Sequence, residues 1–248
     1  MELTVLGCAG TFPGPESACS GYLVEHDGFR LVVDLGAGAL GALQRHVDLL
    51  DVDAVYVSHL HADHCIDLVA YSYARRYHPD GVPPPLPVYG PAGTAERICK
   101  AFEAPPVDGL LDVYDFREVP TGELEIGPFA VRTVRANHPI ECHAMRLTAG
   151  GRTLTYSGDT GECPELVELA RGTDVFLCEA SWTHSDGNPP GIHLSGREAG
   201  EHAAKAGVGR LLVTHIVAWA DPAAVVAEAR AAFDGPVEQV GCGVTYPV

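Results

Sequence analysis

SHLHADHC, residues 58–65, sets three histidines and an aspartate within positions 59 to 64. Imidazole nitrogen and carboxylate oxygen together suit zinc or a similar borderline ion such as manganese or iron. Ala54 to Val57 reads as a buried strand running into the stretch, and Ile66 to Tyr77 has the spacing of a helix leaving it. His59 and His61 are one residue apart, so extended backbone puts both imidazoles on one side, able to share one ion. Asp63 and His64 stand where the helix begins and can turn toward a second ion. A histidine-rich surface loop is the competing reading, disfavoured by this order of ligands between a strand and a helix. With no cysteine among these ligands, a structural zinc knuckle is disfavoured too.

Further ligands are expected where other strands end. His138 follows the β-run Phe129 to Ala136. Asp159 follows Thr153 to Ser157 in TYSGDTG, and His215 follows Leu211 to Thr214 in LLVTHI. A lone histidine after a strand is usually structural. Three candidates at matching positions, beside SHLHADH, point to one shared edge.

The rest of the chain supports a layered fold. Strand-like runs open it at Leu3 to Leu6, Tyr22 to Glu25 and Leu31 to Asp34. Glycines break the chain at GAGALGAL, and a helical stretch is expected from there to about Leu49. Ala92 to Phe102 reads as helix, and the PPPLP run, Pro83 to Pro87, as a stiff surface loop. Strands are expected at Val113 to Val119, Ala144 to Thr148 and Val175 to Cys178. Helices are expected at Pro164 to Ala170, Gly196 to Ala206 and Pro222 to Phe233. Strand-rich halves interleaved with helices predict an α/β fold of two sheets with helices outside, formed as a single domain over 1–248.

Composition narrows the partners. The chain has 248 residues, 46% hydrophobic and 20% charged, which allows a sizeable core. No apolar run reaches the length of a membrane span, and MELTVLGCAG does not read as a signal peptide. The eight cysteines form no C-x-x-C pair and are expected to be reduced thiols in a cytoplasm. The net charge is -17, and Arg75-Arg76 is the only basic doublet. Such a chain repels a long polyanion such as tRNA, and a small substrate held by metals is easier to reconcile with it.

Taken together, these residues resemble the metallo-β-lactamase superfamily. SHLHADH matches its H-x-H-x-D-H motif, VVDLGAG with Asp34 its first motif, and His138, Asp159 and His215 its later ones. The resemblance spans nearly the whole chain and implies an αββα sandwich with a dinuclear site at one edge. It implies one metal on His59, His61 and His138, a second on Asp63, His64 and His215, and Asp159 bridging them. Asp34 would orient ligands without binding an ion itself.

Two further elements resemble the ribonuclease Z-like, phosphodiesterase branch: IHLSG at 192–196 and FLCEASW at 176–182. They imply that His193 protonates the leaving oxygen, oriented by Glu179. The other reading of His193 is a residue flanking the helix that Ser195 caps. A closer resemblance is to bacterial atypical class II cyclic-AMP phosphodiesterases, through GALQRH, SHLHADHC, RRYHP, YSGDTG, LVELARG, DVFLCEASWTHS, HLSG and THI. It implies hydrolysis of a 3′,5′-cyclic nucleotide, cyclic AMP favoured, to a 5′-monophosphate, and by analogy a homodimer.

The nucleophile expected in such a site is a hydroxide shared by two metals roughly 3.5–4 Å apart, which Asp63 would help to hold. The alternative is an RNA 3′-end endonuclease. Against it stand the acidic charge and the 20 residues between His138 and Asp159, where ribonuclease Z inserts a long basic arm. The Gly-Tyr pair of that branch is also replaced by Ala144-Met145.

Several residues keep two readings. His143 faces a purine or is a half-buried strand residue. His184 and Trp182 line the mouth of the site or belong to a surface loop. Arg75 and Arg76 steer an anion or occupy an exposed helical face. His26, His46, His78 and His202 are expected in surface or packing roles. The glycines of GAGAL fit no phosphate-loop pattern and read as a tight turn beside Asp34.

Overall fold

The computed structural model describes residues 1–103 and 110–248. The chain first builds β1 (Glu2–Gly10), β2 (Ala18–Cys19), β3 (Gly21–His26), β4 (Phe29–Leu35), β5 (Ala54–Tyr56), β6 (Leu86–Gly90) and β7 (Tyr114–Glu118). It then builds β8 (Gly122–Ile126), β9 (Phe129–Arg135), β10 (His143–Ala149), β11 (Arg152–Tyr156), β12 (Val175–Glu179) and β13 (Arg210–Thr214). Three short strands close it: β14 (Ile216–Val217), β15 (Val237–Gln239) and β16 (Thr245–Pro247). One sheet runs β14-β1-β3-β4-β5-β6-β7, with β2 and β16 also paired to β1. The other runs β15-β13-β12-β11-β10-β9-β8.

The central strands read as near-continuous apolar runs because both of their faces are covered. In β4, Leu31 and Val33 point into the core between the sheets, and Val32 points outward. In β12, Val175 and Leu177 face that inner core, while Phe176 and Cys178 face the opposite layer. Outside the first sheet lie α1 (Ala39–Leu43), α2 (Ala62–Cys65), α3 (Asp67–Arg76) and α4 (Thr94–Ala101). Outside the second lie α5 (Pro164–Ala170), α6 (Gly196–Ala206) and α7 (Pro222–Ala232). Three apolar layers between four tiers make an αββα sandwich, the arrangement expected from the sequence.

Local chemistry sets the element ends. Ser195 and Glu198 form a reciprocal capping box at the start of α6, and Gly207 ends it in the left-handed conformation. The predicted helix to Leu49 stops at Leu43 instead. The Asp48 side chain accepts from the Leu50 amide and starts a separate 3-10 turn at Leu49–Asp51, which competes with continued helix. The PPPLP run is likewise only partly loop. Leu86 and Pro87 enter β6, with Leu86 and Val88 buried beneath the helices. The proline run masked the alternation that marks the strand.

All eight cysteines are free thiols, six of them buried. Among the described residues no helix is long and apolar enough to cross a membrane.

Candidate metal centre

Strand direction gathers the site. β9, β11, β12 and β13 all point the same way, since β10 is antiparallel to both β9 and β11 and the remaining pairs are parallel. Their C-terminal ends therefore share one edge, and that edge delivers His138, Asp159, Glu179 and His215. The first sheet delivers the 58–65 stretch beyond β5. A bridge pairs His59 with Cys142, and the His143 amide donates to the Ser58 carbonyl at 2.9 Å, pinning the stretch to the second sheet.

The side chains form two clusters. In the first, His59 Nε2 lies 3.1 Å from His61 Nδ1, which lies 3.2 Å from His138 Nε2. In the second, His64 Nε2 lies 3.2 Å from His215 Nε2, which lies 3.3 Å from Asp63 Oδ2. Asp159 stands between them. Its Oδ2 is 3.5 Å from His59 Nε2, and its Oδ1 is 3.2 Å from His64 Nε2 and 3.5 Å from His215 Nε2.

These residues fit a pair of ions. Donors about 2.0–2.1 Å from a tetrahedral ion sit about 3.3 Å from one another, which is the spacing within each cluster. Asp159 Oδ1 is buried without a hydrogen-bond partner, as suits an oxygen that meets a cation.

Neighbouring groups aim the rings. Asp34 is fully buried in β4 with a left-handed φ of 56°. Its carboxylate accepts from the Ser58 amide and hydroxyl, from Tyr156 OH at 2.7 Å, and from His64 Nδ1 at 2.8 Å. That leaves Nε2 of His64 to face the cluster. The Ile192 carbonyl accepts from His138 Nδ1 at 2.9 Å, and Ser181 Oγ lies 3.2 Å from His215 Nδ1. Two glycines permit close approaches here. A Cβ on Gly36 would fall 1.9 Å from the Asp63 carbonyl oxygen, and one on Gly10 would fall 2.7 Å from that of His215.

Electrostatics follow from burial against charge. Burial holds His59, His61 and His138 below the usual imidazole range, in the neutral form that binds metal. Burial also opposes charge on His64 and Asp159, but their attraction wins: His64 is held well above its usual range by Asp159 and Asp34, and Asp159 well below its own by His215, His64 and His59.

His193 stands beside both clusters, its ring centroid 5.7 Å from that of His138 and 5.2 Å from that of His215. Its Nδ1 lies 2.9 Å from Oε1 of the buried Glu179. Burial works against a charged His193, but Glu179 outweighs it and raises the group to about 9. Glu179 is held in turn by the Thr160 amide at 2.8 Å and the Ser181 hydroxyl at 3.2 Å.

A model of the Beta-lactamase superfamily domain matches residues 29–216. The chain belongs to this superfamily. An uncharacterized protein of Mycobacterium leprae is 47% identical, over 100% of this chain and 89% of that one. The probable metallo-hydrolase YhfI of Bacillus subtilis is 31% identical over 99% of both chains. The YhfI crystal structure superposes with a TM-score of 0.89, over 99% of this chain and 98% of that one, at 29% identity. The ribonuclease Z of Mycobacterium marinum is 31% identical, over 88% of this chain and 86% of that one. The superfamily member described here thus has the metallo-β-lactamase fold and metallo-hydrolase relatives, with ribonuclease Z-like proteins among them.

Other candidate residues fall differently. His143 is a buried strand residue at the start of β10, its Nε2 2.9 Å from Glu141 Oε1. Trp182 sets its ring edge-on to His193 at 5.3 Å. His184 lies outside both clusters, its Nδ1 3.3 Å from Ser195 Oγ. The two arginines differ, since Arg76 keeps part of its side chain in solvent and Arg75 does not. Arg75 is buried, donating to the Pro84 carbonyl at 2.7 Å, and Arg76 pairs with Asp112. Sequence reasoning missed Tyr156, Ser181 and the Ile192 carbonyl as holders of ligands. Tyr156 lies 122 positions from Asp34, and no spacing rule links them.

Proposed function

We propose that this protein hydrolyses 3′,5′-cyclic nucleotides, cyclic AMP foremost, to 5′-monophosphates. Its two divalent ions, zinc or else manganese or iron, would be held by His59, His61 and His138 and by Asp63, His64 and His215, with Asp159 shared. When bound, such ions supply a water-derived nucleophile at neutral pH and neutralise charge growing on the phosphoryl oxygens.

The chain's own groups supply the rest. A ribose 3′ oxygen is a poor leaving group unless it is protonated as the bond to phosphorus breaks. His193 carries that proton: Nδ1 is committed to Glu179, Nε2 is the remaining ring nitrogen, and the Glu179 carboxylate favours the charged ring. Glu179 fixes the ring and balances its charge. Trp182 packs against the ring in a T-shaped contact at 5.3 Å. The Glu179–His193 pair set against both clusters is the observation that carries this reading.

A small substrate agrees with the net charge of -17. It also agrees with the stretch between His138 and Asp159, where β10 and β11 are joined through Gly150 and Gly151 and leave no arm for gripping RNA. The ribonuclease Z relative favours RNA 3′-end cleavage as the second reading.

One assay separates them. The zinc-loaded protein is given cyclic AMP, cyclic GMP and a precursor tRNA, and His193→Ala is compared on cyclic AMP and on a p-nitrophenyl phosphodiester. Cyclic AMP turnover should fall by about 10²–10⁴, and the activated ester, whose leaving group needs no proton, should fall far less. Glu179→Gln should follow the same pattern more weakly. Equal losses on both substrates would refute the acid role. Cleavage of precursor tRNA without turnover of any cyclic nucleotide would replace the first reading by the second.

A further inference from the structure

Two large aromatic side chains stand in solvent beside the centre. Trp219 is 70% exposed and Phe12 is 42% exposed, yet their rings meet at 5.5 Å and 36°. Leaving this much apolar ring area in water is unfavourable, and an exposed aromatic cluster next to a polar site marks contact with a ligand.

The backbone that presents them belongs to the second cluster. β1 ends at Gly10, which pairs with Val217 of β14, two residues after His215. The next residue, Thr11, donates its amide to Asp63 Oδ2 at 3.0 Å. Thr11 does so with a φ of 67°, a strained value for a β-branched residue, and the Phe12 amide closes a tight turn onto the Gly10 carbonyl at 2.8 Å. On the other side, His215 also has a left-handed φ, 58°, and a turn closed by the Ala220 amide on the Val217 carbonyl at 3.0 Å presents Trp219. Backbone strain of this kind persists where surrounding contacts over-determine it. Here the strained residues are the ones that join a ligand, Asp63 or His215, to an exposed ring.

We propose that Phe12 and Trp219 form the platform on which the substrate's base stacks, a specificity site for a planar heterocycle attached to the phosphate. This rests on the cyclic-nucleotide reading and adds where the base goes. The backbone segments that carry both rings are tied to Asp63 and His215, through the Thr11 amide and the pairing of β1 with β14. Stacking needs only a π face, so the platform favours nucleotides over base-free sugar phosphates and favours purines, with their larger ring area, over pyrimidines.

The test needs no turnover. 5′-AMP and ribose 5-phosphate are titrated separately into the metal-loaded protein while tryptophan emission is followed. 5′-AMP should quench it and ribose 5-phosphate should not. Trp219→Phe, which keeps a ring but removes that indole, should lose most of the quench and still bind 5′-AMP. Trp219→Ala and Phe12→Ala should each weaken 5′-AMP binding by about tenfold and leave ribose 5-phosphate binding as it was. In turnover the loss should appear in KM for cyclic AMP more than in kcat. Equal quenching by the two ligands, or unchanged 5′-AMP affinity in both alanine variants, would overturn the platform. Should cyclic AMP still be hydrolysed, that outcome removes the platform alone. If no cyclic nucleotide is hydrolysed, the cyclic-nucleotide reading fails, and the binding titration still decides whether the rings hold a base.

Discussion

The Nδ1 atom of His64 lies 2.8 Å from Oδ2 of Asp34, a fully buried carboxylate that also accepts from Ser58 and Tyr156. This contact fixes which ring nitrogen of His64 faces the cluster and places negative charge behind it. Replacing the carboxylate by an amide removes the charge and leaves the shape almost intact. Asp34→Asn should lower metal affinity by about 10–100-fold. Chelator competition followed by metal analysis measures it, with far-ultraviolet circular dichroism to show that the fold persists. Wild-type affinity in a folded variant would mean that the contact is merely structural.

The approach of Gly36 to the metal stretch leads to a stability prediction. Any Cβ at that position would lie 1.9 Å from the Asp63 carbonyl oxygen and 2.8 Å from the Cys19 Cβ. Neither neighbour is the free end of a flexible side chain, so the backbone must shift. Gly36→Ala should destabilise the protein by about 1–3 kcal/mol, the range for overpacking, and displace Asp63. Urea unfolding reads the first effect and metal stoichiometry the second. Gly28→Ala is the comparison, because no neighbour crowds that site, although its φ of 83° carries backbone strain of its own. The metal loss should be confined to the Gly36 variant.

His202 supplies a pH dependence remote from the metal centre. It is buried on α6, donates Nδ1 to the Glu198 carbonyl at 2.8 Å, and accepts the Cys163 amide at Nε2 at 3.1 Å. Burial lowers its affinity for a proton, only partly offset by the Glu198 carbonyl. Its folded value is therefore below the unfolded one, and the unfolded chain binds more protons in the window between them. The stability tied to neutral His202 is complete above the unfolded value of about 6.5. It is lost as pH falls through the lower folded value, where Nε2 takes a proton and can no longer accept. Carboxylates also titrate in acid, so the informative quantity is a difference. His202→Gln should lose less stability than wild type when pH drops from about 7 to 5, measured by denaturant unfolding. Parallel curves for the two proteins would remove His202 from the acid response.

Much of this was legible before folding. Unbroken apolar runs such as Leu31, Val32 and Val33 mark strands covered on both faces, and that pattern is local. The 58–65 stretch is equally local: ligand spacing between a strand and a helix is a property of a dozen consecutive residues. Positions 138, 159 and 215 could be singled out because each follows a strand. The broken helix after Leu43 and the strand begun inside the proline run were not legible, because Asp48 capping and sheet pairing compete there with simple periodicity.

The two-sheet architecture, the donor types and the edge where they gather could be read from the residues alone, since they follow from periodicity and from positions at strand ends. Which donor faces which emerges with the folded chain. The 3.2 Å approach of His64 to His215, the division of the two Asp159 oxygens between clusters, and the meeting of Phe12 with Trp219 join positions far apart in the chain. Such contacts are set by how two sheets pack and how strained turns aim the backbone, and no local pattern encodes the angle at which distant segments meet.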